Sequence, residues 1–414
     1  MSTTKTTYRT CRWLAAGLLL LAAACRKEEF QQPPHGSPVP VADTAHHNVR
    51  GLLALSSHKL FEAAWKRSHM DQVLSAQAAS VRFTILAPDD AAMAAAGFNA
   101  AGIAAATPEQ LDTLLQFHVI TEQLDTLALR LQLRSLHKKT LLTHPVLMEH
   151  LNPVGSAVTN PYPYTYKHYV GTDAAGILIV DGKHTGHSRP MFAKNGVIWP
   201  LNRVLEMPRM SVMEYLESDP RFSMFVAITH WCDNVWSEIS MDYFQRKIFK
   251  NLKPDLTNVV VQDAFFAPTN DAFKAAGIES VDDLIALNMR SMPYIDWDWF
   301  EVRNGFVTDS LLSYHALGRI YEPLGTWGAG APVPAVFYSN DLNPGLSSFT
   351  LNVSDGSVKP FYLPLVFGTA GGRVTVAPLA GGQTATVTEA DINTFQGPVH
   401  VVDRIMVPAN LRLK

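Results

Sequence analysis

Apolar positions along the 414-residue chain change period twice in the same order, from helical spacing to a short continuous run. Leu52, Leu53, Leu55, Leu60, Phe61 and Trp65 recur on one helical face and predict an opening pair of amphipathic helices. Phe83-Thr84-Ile85-Leu86 then reads as strand, Pro88 removes a backbone donor, and Asp89 and Asp90 suit the start of an Ala-rich helix that stops at Gly97. The order recurs further along. Ser211 to Glu217 and Met224 to Cys232 have helical spacing, and Val259-Val260-Val261 with Phe265-Phe266 are β-rich. Pro268 then precedes Thr269 and Asn270, either of which can cap a helix ending at Gly277. Each copy is a strand-turn-helix joint.

Each joint is followed by a second matching segment, L-L-Q-F-H-V over 114–119 and L-L-S-Y-H-A over 311–316. Each copy then closes on an apolar run, N-G-V-I-W-P-L-N-R-V-L-E-M-P over 195–208 and G-P-V-H-V-V-D-R-I-M-V-P over 397–408. In this order the three marks resemble the fasciclin-like domain family. Its pattern has an F-x-P-T-N-x-A-F block, a central Tyr-His pair and a terminal N-G-V-I-H-V-I-D-x-V-L-x-P strand. The second copy carries Pro268, Thr269, Asn270, Tyr314, His315 and His400 at the pattern's positions. The first keeps Pro88 and His118 but has Asp89-Asp90 for Thr-Asn, Phe117 for Tyr and Trp199-Pro200 for His-Val. The resemblance implies an α+β protein of two fasciclin-like domains, over 48–208 and 209–409, each a β-wedge or sandwich with packed helices. It also implies non-catalytic binding or adhesion at a cell surface.

The copies differ in spacing. Pro88 to His118 is 30 residues and Pro268 to His315 is 47, so the second domain carries 17 extra residues before its Tyr-His pair. They fall in S-M-P-Y-I-D-W-D-W-F-E-V-R-N-G-F over 291–306, which makes Tyr294, Trp297, Trp299 and Phe300 either candidate binding residues or a structural lid whose rings cover an apolar face of the domain or the seam between the two domains. The first domain has its own aromatic segment, N-P-Y-P-Y-T-Y-K-H-Y over 160–169. There the alternation of Pro with Tyr162, Tyr164 and Tyr166 predicts an exposed loop or edge strand, a second candidate surface. Almost no linker separates Pro208 from Ser211, so the domains are expected to pack with restricted relative motion.

Ahead of the folded part, Lys5, Arg9 and Arg12 precede an apolar run from Leu14 to Ala24 that is short for a permanent membrane span. Residues 1–24 read as a signal peptide. L-A-A-A-C ends at Cys25 and resembles the cleavage and lipidation site of bacterial lipoproteins, whose new terminal cysteine receives acyl chains such as palmitate; Ala22 stands where those sites usually have Leu. Lys27, Glu28 and Glu29 resemble the export signal that sends lipoproteins of Bacteroidetes-type bacteria to the outer face of the outer membrane. Residues 25–47, with Pro33, Pro34, Pro38 and Pro40, have the composition of an extended tether. The expected location is therefore the outer membrane, lipid-anchored and facing the cell exterior.

Composition narrows the chemistry. A net charge of −3 with 17% charged residues creates no field for a polyanion, so nucleic acid is not an expected partner. Of three cysteines, Cys11 and Cys25 lie in the leader, leaving Cys232 as a packing thiol in an apolar helix. His118 and His315 read as buried, hydrogen-bonded structural residues. His184 and His187, with His168 nearby, offer imidazoles without a Cys or closely spaced acid to complete a ligand set, so no metal or other cofactor is expected. G-x-S-x-G and phosphate-loop patterns are absent and no enzyme activity is expected. The partners expected are the membrane, through the lipid, and an extracellular polymer, glycan or surface protein. The alternative is an accessory glycan-capture lipoprotein of a nutrient-uptake system; an envelope enzyme is more remote.

Overall fold

In the computed structural model the opening apolar stripe folds into three short helices, α1 (Val49–Leu55), α2 (Lys59–Arg67) and α3 (Met70–Ser75). The structure describes residues 46–132, 134–149, 162–186, 189–241, 264–317, 336–348, 350–354, 358–362, 364–409 and 411–413. The run predicted as strand is β1 (Phe83–Pro88), followed by α4 (Asp90–Ala95), α5 (Ala100–Ala105) and α6 (Pro108–Phe117). Then come β2 (Val119–Ile120), α7 (Thr126–Arg130), β3 (Leu136–Glu149), β4 (Tyr162–Thr172), β5 (Leu178–Val180), β6 (Lys183–His184), β7 (Met191–Ala193) and β8 (Gly196–Leu201). These strands form one sheet in the order β6-β5-β4-β3-β2-β1-β8-β7. Only β1 and β8 run parallel, Ile85 facing Ile198 and Leu86 facing Trp199.

The parallel pair is buried on both faces, which is why β1 reads as a continuous apolar run instead of an alternation. Phe83, Ile85, Ala87 and Ile198 face a helical core with Leu53, Phe61, Trp65, Leu111 and Leu115. Leu86, Val197, Trp199 and Leu201 face the other way, against the far part of the same sheet through Tyr164, Tyr166, Val170 and Val180. Each half is thus α+β, with helices on one side of the central strands and strands on the other.

The second half repeats the plan. Helices α8 (Val212–Ser218) and α9 (Ser223–Ser240) precede β9 (Ala264–Pro268), α10 (Asn270–Ala275) and α11 (Val281–Asn288). A small hairpin follows, β10 (Tyr294–Asp296) and β11 (Glu301–Arg303), then α12 (Val307–Leu312) and β12 (Ala316–Leu317). Among the described residues, strands β13 (Thr350–Ser354) and β14 (Val358–Tyr362) pair with each other alone. Strands β15 (Leu365–Ala370), β16 (Arg373–Pro378), β17 (Ala385–Thr394) and β18 (Gly397–Val402) complete a sheet of order β12-β9-β18-β17-β16-β15. Again one pair is parallel, Phe265 facing Val399 and Phe266 facing His400. Phe265 and Ala267 enter the helical core while Ala264 and Phe266 enter the sheet core. Val259-Val260-Val261, predicted as part of this strand, lies outside the described residues. No helix among the described residues is long and apolar enough to cross a membrane.

The halves meet on a seam rich in polar groups. Phe395 of the second half joins the first half's sheet core, and its carbonyl accepts from Tyr164 Oη at 3.0 Å. Tyr169 stacks obliquely on Tyr338 with centroids 5.4 Å apart. Asp341 Oδ1 accepts from Ser135 N–H at 2.8 Å and Ser135 Oγ at 3.0 Å, while its Oδ2 accepts from Tyr338 N–H at 3.3 Å. The Asp181-Gly182 turn approaches so closely that a Cβ on Gly182, at φ +78, would lie 2.4 Å from Asp391 Cγ. Only glycine fits both that space and that dihedral.

This seam corrects the reading of the first domain's aromatic segment. Tyr164 and Tyr166 are 3% and 5% exposed, and β4 is an interior strand between β3 and β5, not an edge. Both rings contact Phe395, at 6.2 and 6.4 Å between centroids, so they are core residues of the seam; only Tyr162, at the start of the strand, is exposed. Alternation of Pro and Tyr cannot distinguish an edge from a strand covered by another domain, because only the covering residue decides it.

Burial pushes the Asp341 carboxyl up to about 6, against the opposing pull of the Ser135 and Tyr338 donors. A raised folded-state value means that the charged carboxylate penalises the folded state above about pH 6, and that the penalty fades as pH falls towards the ordinary carboxylate range. Asp341→Asn removes this compensation. Its stability is expected to fall more steeply than the wild type's between pH 6 and pH 4.5, the gap widening by about 1 kcal/mol per pH unit. Denaturant melts at the two pH values check it; parallel losses would show that Asp341 does not titrate in this window.

Candidate functional site

The joints that the sequence repeats are structural, and their chemistry is that of buried groups finding partners. In the second half Thr269 is the cap of α10, its hydroxyl accepting from Ala272 N–H at 3.2 Å. Asn270 does a different job: its Oδ1 accepts from Met224 N–H at 3.0 Å and its Nδ2 donates to Pro220 O and Ser223 Oγ, each at 3.0 Å. It therefore ties the start of α9 to the end of β9. Asp89 and Asp90 reproduce both jobs in the first half. Asp89 Oδ1 accepts from Ala92 N–H at 2.7 Å, and Asp90 Oδ1 accepts from Leu60 N–H at 2.8 Å in the first turn of α2. An acid suits these helix starts as well as Thr or Asn does, because the demand is for an acceptor beside free N–H groups.

His118 and His315 are fully buried, each between a helix end and a strand. His118 Nδ1–H donates to Leu114 O at 2.8 Å and its Nε2 accepts from Leu205 N–H at 3.0 Å. His315 Nδ1–H donates to Phe266 O at 2.8 Å and its Nε2 accepts from Met406 N–H at 3.1 Å. Each imidazole clamps the chain leaving the closing strand onto the centre of its own half. Burial drives the two groups down to about 3 and about 4. Both are neutral at ordinary pH, with both ring nitrogens engaged.

Other candidates are placed as follows. His400 Nε2–H donates to Phe337 O at 3.0 Å. At the same register Trp199 is buried with no partner for its Nε1 among the described residues. Pro88 ends β1, its carbonyl 3.0 Å from His58 Nδ1, and Pro268 ends β9. Tyr314 is half-buried against the second sheet core. Cys232 is buried, taking a hydrogen bond from Asn288 Nδ2 at 3.2 Å. His168 lies in the core, Nδ1 2.7 Å from Asp181 Oδ2 and Nε2 2.8 Å from Phe117 O, while His184 is exposed beside Asp173. Among the described residues no group of three or more His, Cys, Asp or Glu is placed to hold a metal ion. His187, Cys25, Lys27, Glu28 and Glu29 lie outside the described residues. Asp181, Asp341 and Asp391 of the seam were not singled out in the sequence; the Asp-Gly pair at 181–182 was the one local signal available.

The exposed rings are on the β10–β11 hairpin, which occupies the extra length between α11 and α12. Its base is anchored, with Ile295 buried and Val302 packed on the helical core, facing each other across the pair. Its tip is open. Trp297 is 37% exposed, Trp299 76% and Phe300 46%, with Trp297 and Phe300 edge to face at 6.3 Å; Tyr294, 53% exposed, stands opposite Arg303 at the other end of the hairpin. Phe300 sits at φ 50 and Asn304 at φ 61, both in the left-handed region that favours glycine. The hairpin is thus a lid over the core at its base and an exposed aromatic surface at its tip.

His315→Ala is expected to lower stability at pH 7 by roughly 1 to 3 kcal/mol for each of the two buried groups it strands, Phe266 O and Met406 N–H. Because the folded-state value of His315 is depressed, its contribution is complete above about pH 6.5 and is lost as pH falls towards 4. The gap between variant and wild type therefore narrows from pH 7 to pH 4.5. Chemical denaturation at both pH values is the measurement, and an unchanged midpoint at pH 7 would contradict the clamp.

Comparison with curated proteins gives no match. Among solved structures, a FAS1 domain pair from the insect cell adhesion molecule fasciclin I is similar at 15% identity, covering 84% of this chain and 96% of that one with a TM-score of 0.30. The family model of the fasciclin domain matches residues 56–208. That match spans most of the first half, which is similar to a fasciclin domain, and the second half repeats the first half's central parallel strand pair, its capped joint and its histidine clamp.

Proposed function

We propose that this protein is a non-catalytic adhesion or binding protein of the cell surface, held by lipid at Cys25 and recognising an extracellular polymer, glycan or surface protein. The observation that carries the reading is the hairpin, four aromatic rings left exposed, three of them at its tip, on a segment fastened to the core by Ile295 and Val302. Exposed rings of this density are typical of surfaces that grip partners. The buried polar residues of the joints, by contrast, are committed to backbone partners, a structural duty. The leader supports the anchor: a basic start, an apolar run, small residues and a cysteine, then Lys27-Glu28-Glu29 and a Pro-rich tether. Outer-membrane location and an outward face rest on that leader. The second reading, an accessory glycan-capture lipoprotein, is favoured by the acids Asp296 and Asp298 that alternate with the rings.

Cys25→Ala is expected to move the protein out of the membrane fraction or to block its maturation, read by fractionation and immunoblotting. Exchange of Lys27, Glu28 and Glu29 for Ala should leave it lipidated but protected from protease added to whole cells. Undiminished membrane association of the cysteine variant would overturn the anchor. For adhesion, Trp297→Ala with Trp299→Ala is expected to reduce attachment of cells to their surface while the melting temperature stays within a few degrees of the wild type.

A further inference from the structure

The tip of the hairpin brings together two kinds of group in one short turn. Trp299 has the most exposed ring among the described residues, and Asp298 beside it makes no hydrogen bond or ion pair with any of them. Asp296 Oδ1 accepts only from Trp299 N–H, at 3.3 Å, and Arg303 lies 2.7 Å from Glu301 and 3.9 Å from Asp296. Folding gains little from these side chains, since Ile295 and Val302 are the residues that the hairpin lays on the core. The turn nevertheless holds Phe300 in a strained dihedral, and the ring it places there is exposed. Strain kept in a turn that the core does not need points to use of the surface it presents.

We propose that this tip binds a neutral polysaccharide, Trp299 stacking on the C–H face of a pyranose ring and Asp298 accepting hydrogen bonds from its hydroxyls. The proposal rests on the surface-binding reading above and names its ligand class. A pyranose has an apolar face and a rim of hydroxyl donors; an indole matches the first and an unpaired carboxylate the second. Charge selects among the rivals. Asp296, Asp298, Glu301 and Arg303 give the tip a net charge of −2, which repels sulfated or uronate polymers and anionic lipid headgroups. Size selects too. A specific protein partner needs roughly 800 Å² from each side, more than a four-residue turn on a two-stranded sheet supplies, whereas sugar rings need only matching ring faces.

The test is native affinity electrophoresis of the full chain carrying Cys25→Ala, so that no acyl group contributes. The gels contain hydroxyethyl cellulose, galactomannan or xyloglucan as neutral probes and polygalacturonate as the anionic one; flotation with phosphatidylglycerol vesicles runs in parallel. The expected result is retardation in at least one neutral gel, weakened at least tenfold by Trp299→Ala and by Asp298→Ala. Phe192→Ala, which removes an exposed ring elsewhere, should behave as the parent. Both tip substitutions replace exposed side chains, and an unchanged melting temperature verifies that the fold is kept. No retardation in any neutral gel, retardation indifferent to both tip substitutions, or retention confined to polygalacturonate or the vesicles would overturn the proposal. Cell attachment measured on the same variants separates the two readings. If attachment depends on Trp299 while every neutral gel is silent, the polysaccharide is wrong and surface binding stands. If attachment ignores Trp299, the surface-binding role of the tip fails by itself.

Discussion

Two parallel strands buried on both faces impose the demand that the rest of each half answers. A strand in that position has no water to satisfy its ends, so every N–H and C=O where the chain enters and leaves must find a partner inside the protein. The histidines at 118 and 315 meet that demand with one ring apiece, donating from Nδ1 and accepting at Nε2. Both are driven to the neutral form by the burial that makes them necessary. The capped joints meet it at the other end, with one side chain for the following helix and the next for the neighbouring helix. The same tasks are done by Asp-Asp in one half and Thr-Asn in the other, so geometry and acceptor capacity matter there more than side-chain identity.

The seam joins the halves by the same rule. Carboxylates at 341 and 391 are buried because they accept from backbone and hydroxyl groups, Asp341 from Ser135 and Tyr338 and Asp391 from Ser339. Burial alone would make such groups costly, and it is the donors that make the seam workable. The aromatic contacts of Phe395 with Tyr164 and Tyr166 then exclude water from the joint. From His47 onward the described residues form one compact unit.

The hairpin escapes this economy of partners. One position in each strand, Ile295 and Val302, fastens it to the core, and the turn between them leaves its rings exposed. That arrangement lets a short insertion present large rings to solvent without lowering the quality of the packing beneath.

The repeated joint, the closing strand, the histidines and the position of the extra length were legible in the sequence, because each depends on local chemistry: a proline's missing donor, a cap's acceptor, a glycine's dihedral, a run of apolar residues. The α+β plan was an implication of the family resemblance that those marks carry. Legibility ended where a side chain's fate depends on residues far along the chain. Tyr164 and Tyr166 sit in a segment that looks exposed, and Phe395, 231 positions beyond Tyr164, buries them. Asn270 looks like a cap and serves instead the helix that begins at Ser223. The acids of the seam have no signature of their own, since burial of a carboxylate depends on donors brought by another strand. Within the hairpin, composition left open whether the rings lie on the core or face solvent. Only the packing of Ile295 and Val302 decided it, because a two-residue period shows which side chains share a face and not which face the rest of the protein covers.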